Sequence, residues 1–174
     1  MTFETFNRSV ALVREWRSRS HKTFSEWPDS RDPEFRDIML EFKVTPQDLE
    51  KSFIALAAWR HDIEGVYQLL SAITKVVVNR QNKGMFRTHL VDKDQFPFMA
   101  DVDSPEVDCY PIAGDENFSK LLENVDDILQ GKVVDLTQGA IWFGVVGDTM
   151  PDWFRTVITT NTRTVKIGNM VFYK

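Results

Sequence analysis

The chain has one cysteine, Cys109, among its 174 residues. A lone cysteine excludes an intramolecular disulfide and a cysteine-built metal cage. Positive charge is also short: 21 Lys and Arg stand against 26 Asp and Glu, a net charge of −5. Such a balance argues against a broad electrostatic grip on nucleic acid or anionic lipid, although a local basic patch is compatible with it. No apolar run approaches the roughly 18–20 residues of a membrane span. The segment Met1–Arg8 lacks the basic region and apolar stretch of a signal peptide. There is no phosphate-cradling glycine loop, no internal repeat and no low-complexity segment. What is present is an ordinary globular composition, 43% hydrophobic and 27% charged. A chain this long suits one domain and buries a core without covalent staples.

Apolar spacing predicts helices over most of the chain. Phe6, Val10, Val13 and Trp16 recur at three and four residues between Phe3 and Arg19, opposite Arg8, Arg14, Glu15 and Arg17. This helix either docks on the core of its own chain or serves another protein. Residues 20–33 are loop-like, with Trp27-Pro28 and Asp32-Pro33 as breakers. Pro33 suits the first turn of a short helix with Phe35, Ile38, Met39 and Phe42 along one stripe. Thr45-Pro46-Gln47-Asp48 reads as a capped helix start, and the helix runs through Leu49, Phe53 and Leu56 towards His61. Gly65 breaks it. A further helix spans about Val66 to Arg80. The last clear one runs from Asn117 to Gln130, with Phe118, Leu121, Leu122, Val125 and Leu129 on one side and Gly131 as its stop.

The tail changes character. Ile141-Trp142-Phe143 is a short apolar run, and Thr156 to Ile167 is rich in Thr and Val, as strands are. Gly168-Asn169 suits a two-residue turn into Met170-Val171-Phe172-Tyr173. Helices followed by a small antiparallel sheet give class α+β, mainly helical.

Four segments, in order, resemble the spore-cortex-lytic (SleB-like) cell-wall hydrolase family. The first is Ala57-Ala58-Trp59-Arg60, followed by the helix ending Val76-Val77-Val78-Asn79-Arg80. The second is Gln95-Phe96-Pro97-Phe98. The third is the helix over 117–130 with Gly131, then Asp135-Leu136-Thr137-Gln138-Gly139-Ala140, similar to the family's Asp-Pro-Thr-Gly-Gly-Ala. The fourth joins Ile141-Trp142-Phe143, Pro151-Asp152-Trp153 and Lys166-Ile167-Gly168-Asn169 with Val171-Phe172-Tyr173. Each piece alone is common. Together they cover residues 45–174 and leave 1–44 as an N-terminal helical extension. The resemblance implies a lysozyme-related fold with a cleft between helices and sheet. It also implies an enzyme that cuts the glycan strand of peptidoglycan, as a hydrolase or a lytic transglycosylase, in a divergent phage-type member.

Cutting a glycosidic bond needs a proton donor for the leaving oxygen, normally a Glu whose pKa is raised by partial burial. The family's first Glu follows Trp-Arg, where this chain has His61. A histidine can act as an acid near neutral pH. Glu64 lies three residues on and shares a helical face with His61 if the helix continues. The catalytic candidates are therefore Glu64 and His61, with neither acting as a third reading; Asp62 reads as solvated surface. The family often has His where this chain has Met170, a departure that suits a packed surface better than a sugar site. Asn79 and Gln95 match family positions and are candidates to bond sugar amides or hydroxyls, although Asn79 also suits a helix cap and Gln95 a plain loop. Trp142 and Trp153 are candidates to stack on sugar rings or to pack in the core. His89 with Asp92 and Asp94 fits no standard metal spacing. The acidic run Asp101, Asp103, Glu106 and Asp108 lacks the glycine and glutamate of a calcium loop. No metal and no cofactor is expected.

Two functions follow. One is a muralytic enzyme acting on peptidoglycan glycan strands, held in a virion or the host cytoplasm before release to the wall. The alternative is a catalytically silent virion protein, of a tail or head-to-tail region, that keeps the fold and docks on other subunits through residues 1–44. Neither needs nucleic acid or a membrane span.

Overall fold

Helices come first in the chain and strands last. The computed structural model describes residues 1–20, 32–61, 67–85 and 115–174, except the side chains of Ala57, Arg60 and His61. Within them lie α1 (Phe3–Ser20), α2 (Pro33–Phe42), α3 (Pro46–His61), α4 (Tyr67–Asn82), α5 (Glu116–Leu129), β1 (Trp142–Val145), α6 (Asp152–Thr160), β2 (Arg163–Ile167) and β3 (Met170–Tyr173). The class is α+β, mainly helical, with a small antiparallel sheet at the end of the chain.

Local chemistry sets the helix ends. Asp32 accepts from the Glu34 N–H at 2.9 Å, and Pro33 opens α2. At the start of α3, Thr45 Oγ1 accepts from the Asp48 N–H while Asp48 Oδ2 accepts from the Thr45 N–H, both at 3.1 Å, a reciprocal capping box. Asp115 caps α5 through the Phe118 N–H at 2.7 Å. Gly131, with φ of 73°, follows α5 in the left-handed region.

The apolar stripe of α1 is filled within the chain. Phe6, Val10, Leu12, Val13 and Trp16 are buried, and Trp16 meets Phe35 of α2 edge-on at 5.5 Å. Phe118 of α5 takes the edge of Phe6 at 4.9 Å and of Trp59 at 6.2 Å. These rings share one core with Phe53 and Leu56 of α3 and Ile73, Val76 and Val77 of α4. Helices α1 and α2 are thus part of the main core.

The sheet has strand order β1-β3-β2, with antiparallel neighbours throughout. Gly168, with φ of 57°, turns β2 into β3. The central strand β3 is buried along its length. Phe143, Met170 and Phe172 face the main core, while Val171 and Tyr173 face Phe154 and Val157 of α6 on the other side. Trp142 stands opposite Tyr173, and Gly144 opposite Val171.

One expectation is corrected. The Thr- and Val-rich stretch from Thr156 is helical as far as Thr160, and only Arg163–Ile167 is strand. Phe154 and Val157, three apart, bury against the sheet. The threonine hydroxyls turn back onto the helix: Thr160 donates to the Thr156 carbonyl at 2.8 Å and Thr156 to that of Asp152 at 3.4 Å. Amphipathic burial outweighs the modest β preference of Thr and Val here. No described helix is long and apolar enough to cross a membrane.

Candidate functional site

The end of α4 meets the approach to β1 through a polar junction. Asn79 Nδ2 donates to Asp135 Oδ2 at 3.1 Å and to the Ala140 carbonyl at 3.0 Å, with Thr137 Oγ1 at 3.4 Å. The Asp135 carboxylate also accepts from the Thr137 N–H at 2.9 Å, the Thr137 hydroxyl at 2.5 Å and the Gly139 N–H at 2.9 Å. Such turns form because an Asp side chain bonds its own backbone two residues on. The turn carries Gln138 and Gly139 in the left-handed region, at φ of 56° and 82°. Burial raises the Asp135 pKa, but the bonds from Thr137, Asn79 and Gly139 outweigh it and hold the carboxyl below its usual range. Asp135 is therefore ionised at neutral pH and cannot serve as a proton donor there.

The neighbouring Arg80 is fully buried. Its Nε donates to the Ile141 carbonyl at 2.6 Å, and its guanidinium lies 4.8 Å from the centre of the Trp142 ring. The Asn79-Arg80 pair thus fixes both the loop before β1 and the first ring of the sheet. Helix α4 holds this pair in place, with Lys75 further up donating to the Ile128 carbonyl at 3.3 Å.

The residues proposed from sequence fall into three groups. Asn79 lies at the junction, with both amide hydrogens directed to partners in its own chain; it does not cap its helix. Its Oδ1 takes no bond from the described residues. Trp142 and Trp153 are half-buried and pack on the same small cluster beneath α6, where Trp153 meets Phe154 at 5.3 Å. Glu64, Gln95 and the His61 side chain lie outside the described residues. So do Asp62, Gly65, Cys109, His89, Asp92, Asp94 and the acidic run 101–108. Met170 is 3% exposed and sits in the main core, so no polar group reaches a cleft from that position. Residue order alone gives Asp135 and Arg80 no evident role. The Asp-x-Thr-x-Gly spacing was the available signal for the first; nothing local marks the burial of the second.

A family model for cell wall hydrolases matches residues 67–173, which is more than half of the chain. The chain belongs to the cell wall hydrolase family. The match spans α4, α5, the sheet and α6, and so contains the Asn79–Asp135 junction, Arg80, Trp142 and Trp153. It begins after His61 and Glu64. No curated protein and no solved structure matches the chain.

Proposed function

We propose that this cell wall hydrolase cleaves the glycan strand of peptidoglycan on a lysozyme-related scaffold, as a hydrolase or a lytic transglycosylase, and that it is of bacteriophage origin. The family match over α4 to β3 carries this reading. Glycoside cleavage needs an acid that is protonated at working pH. Asp135 is held ionised by its depressed pKa; Glu64 is the proposed donor, with His61 as its competitor. Asn79 offers substrate its Oδ1, because its Nδ2 is committed to Asp135 and Ala140. Trp142 and Trp153 supply aromatic faces for sugar rings, and Gln95 supplies an amide. The protein is held in a virion or the host cytoplasm before it reaches the wall.

A second reading is a silent virion protein that keeps the fold. The burial of Met170 in the core and the inward commitment of the Asn79 amide favour it. Zymography on purified peptidoglycan separates the two, with Glu64→Gln and His61→Ala in parallel and mass analysis of product ends. Clearing that Glu64→Gln abolishes supports the enzyme with Glu64 as acid. Clearing that survives both substitutions keeps the activity and removes the site assignment. No clearing by the wild-type protein between pH 4 and 9 (roughly the span over which Glu and His acids change protonation) establishes the silent reading.

A further inference from the structure

The end of the chain carries a local excess of positive charge. Residues 151–174 carry four cations, Arg155, Arg163, Lys166 and Lys174, against one carboxylate, Asp152. That segment is therefore +3 in a chain of −5. Asp152 is taken up by Arg155, at 3.7 Å. Arg163 and Lys166 are exposed and form no ion pair among the described residues.

The fold places these two cations together. Both lie on the edge strand β2, Arg163 opposite Tyr173 and Lys166 opposite Val171. Tyr173 and Val171 belong to the cluster beneath α6, so both cations stand on the α6 side of the sheet. Trp142 is the other neighbour of Tyr173. A row therefore runs across the three strands from Arg80 and Trp142 through Tyr173 to Arg163. Adjacent strands are spaced by about 4.8 Å, which puts Arg163 about 10 Å from Trp142 along this row. An edge strand also tolerates cations because they deter pairing with other sheets. That role does not call for the row that joins Arg163 to Tyr173 and Trp142.

We propose that the α6-side edge of the sheet, centred on Arg163 and Lys166, is a docking surface for the peptide carboxylates of the peptidoglycan strand. It rests on the reading of this chain as a wall-cleaving enzyme, because it takes the same polymer as its ligand. A glycan strand that bears peptides at regular intervals presents carboxylates beside the sugars. A chain of net negative charge is repelled by such a polymer. A local cationic edge two strands across from Trp142 offsets that repulsion and orients the strand towards the Asn79–Asp135 junction.

The test is sedimentation of the full chain with purified peptidoglycan stripped of phosphate polymers. Wild type is compared with Arg163→Glu/Lys166→Glu, with the milder Arg163→Gln/Lys166→Gln, and with Arg36→Glu/Lys43→Glu as a charge-matched control on and just after α2. Thermal melting confirms that each variant is folded. The β2 charge reversal is expected to weaken binding about tenfold, the Gln pair less, and the control to change it little. Binding is also expected to fall at about 0.5 M salt, where screening acts over only a few ångströms, and after the peptide carboxylates are amidated. Equal binding by wild type and the β2 variants overturns the proposal. So does an equal loss in the control, which assigns the effect to net charge. Binding that amidation leaves intact, or that requires the phosphate polymers, overturns it as well. Cation-dependent binding without any cleavage supports the docking surface while the enzymatic reading fails.

Discussion

Asp135 accepts two backbone N–H groups, a hydroxyl and an amide, a full set of donors for one carboxylate. Hydrogen bonds to a charged acceptor are each worth more than neutral ones. Asp135→Asn replaces an acceptor oxygen with a donor that faces donors, and is expected to cost about 2–3 kcal/mol in denaturant unfolding at pH 7. The folded pKa lies below the unfolded value, so this stabilisation is complete above the unfolded pKa. It is lost as pH falls through the folded one. The melting-temperature gap between wild type and Asp135→Asn is therefore expected to narrow only as pH drops below about 4. Asp126 adds to acid sensitivity in the same direction, since its ion pair with Lys51 lowers its pKa. Two residues past the start of the turn at Leu136, Gln138 holds φ of 56° where the family's own turn has glycine. Gln138→Gly is expected to stabilise the protein by about 1 kcal/mol in the same assay, by removing left-handed strain.

At the scale of elements, α6 sits on the sheet because Gly144 leaves room for it. A Cβ at Gly144 would lie 2.5 Å from Cε1 of Phe154, a ring that is itself buried. Gly144→Ala must push α6 outward and is expected to cost about 1–3 kcal/mol. Pairing it with Phe154→Leu should recover part of that loss, a coupling that a double-mutant cycle measures. If the two costs simply add, the contact between ring and glycine does not set the position of α6. The consequence reaches the candidate site, because Trp142 and Trp153 pack on this same cluster.

At the scale of the whole molecule, the N-terminal helices close the core that the matched family region uses. Phe6 covers Phe118, and Trp16 covers Phe35, each within one continuous apolar cluster. Deleting residues 1–44 strips Phe3 and Phe6 from Phe118, and truncating a single buried Phe already costs about 3–5 kcal/mol. The fragment 45–174 is expected to be insoluble, or to lack a cooperative melting transition and dispersed amide signals. A fragment that melts cooperatively would show that the extension is dispensable. The same geometry withdraws the apolar stripe of α1 from any partner.

Helix positions, caps and the hairpin turn were readable from residue order because they depend on neighbours three or four places apart. Thr45 with Asp48, the stop at Gly131 and the turn at Gly168 are all of this kind. The family resemblance was equally legible, and the matched region bears it out. Asn79 was singled out by type, but its engagement was not, because its partners Asp135 and Ala140 lie 56 and 61 residues away. The helix over 152–160 is not legible in residue order because β preference is a local average, while burial of Phe154 and Val157 against β3 is a tertiary gain. The sequence by itself determined most of the periodic elements and the family. Only the tertiary structure decided that Asp135 is held ionised, that Arg80 backs Trp142, and that two cations share one edge. The first two depend on groups far apart in the chain, Asn79 with Asp135 and Arg80 with Trp142, being brought within a few ångströms, where burial and hydrogen bonding take hold; the third depends on β2 lying at the edge of the sheet.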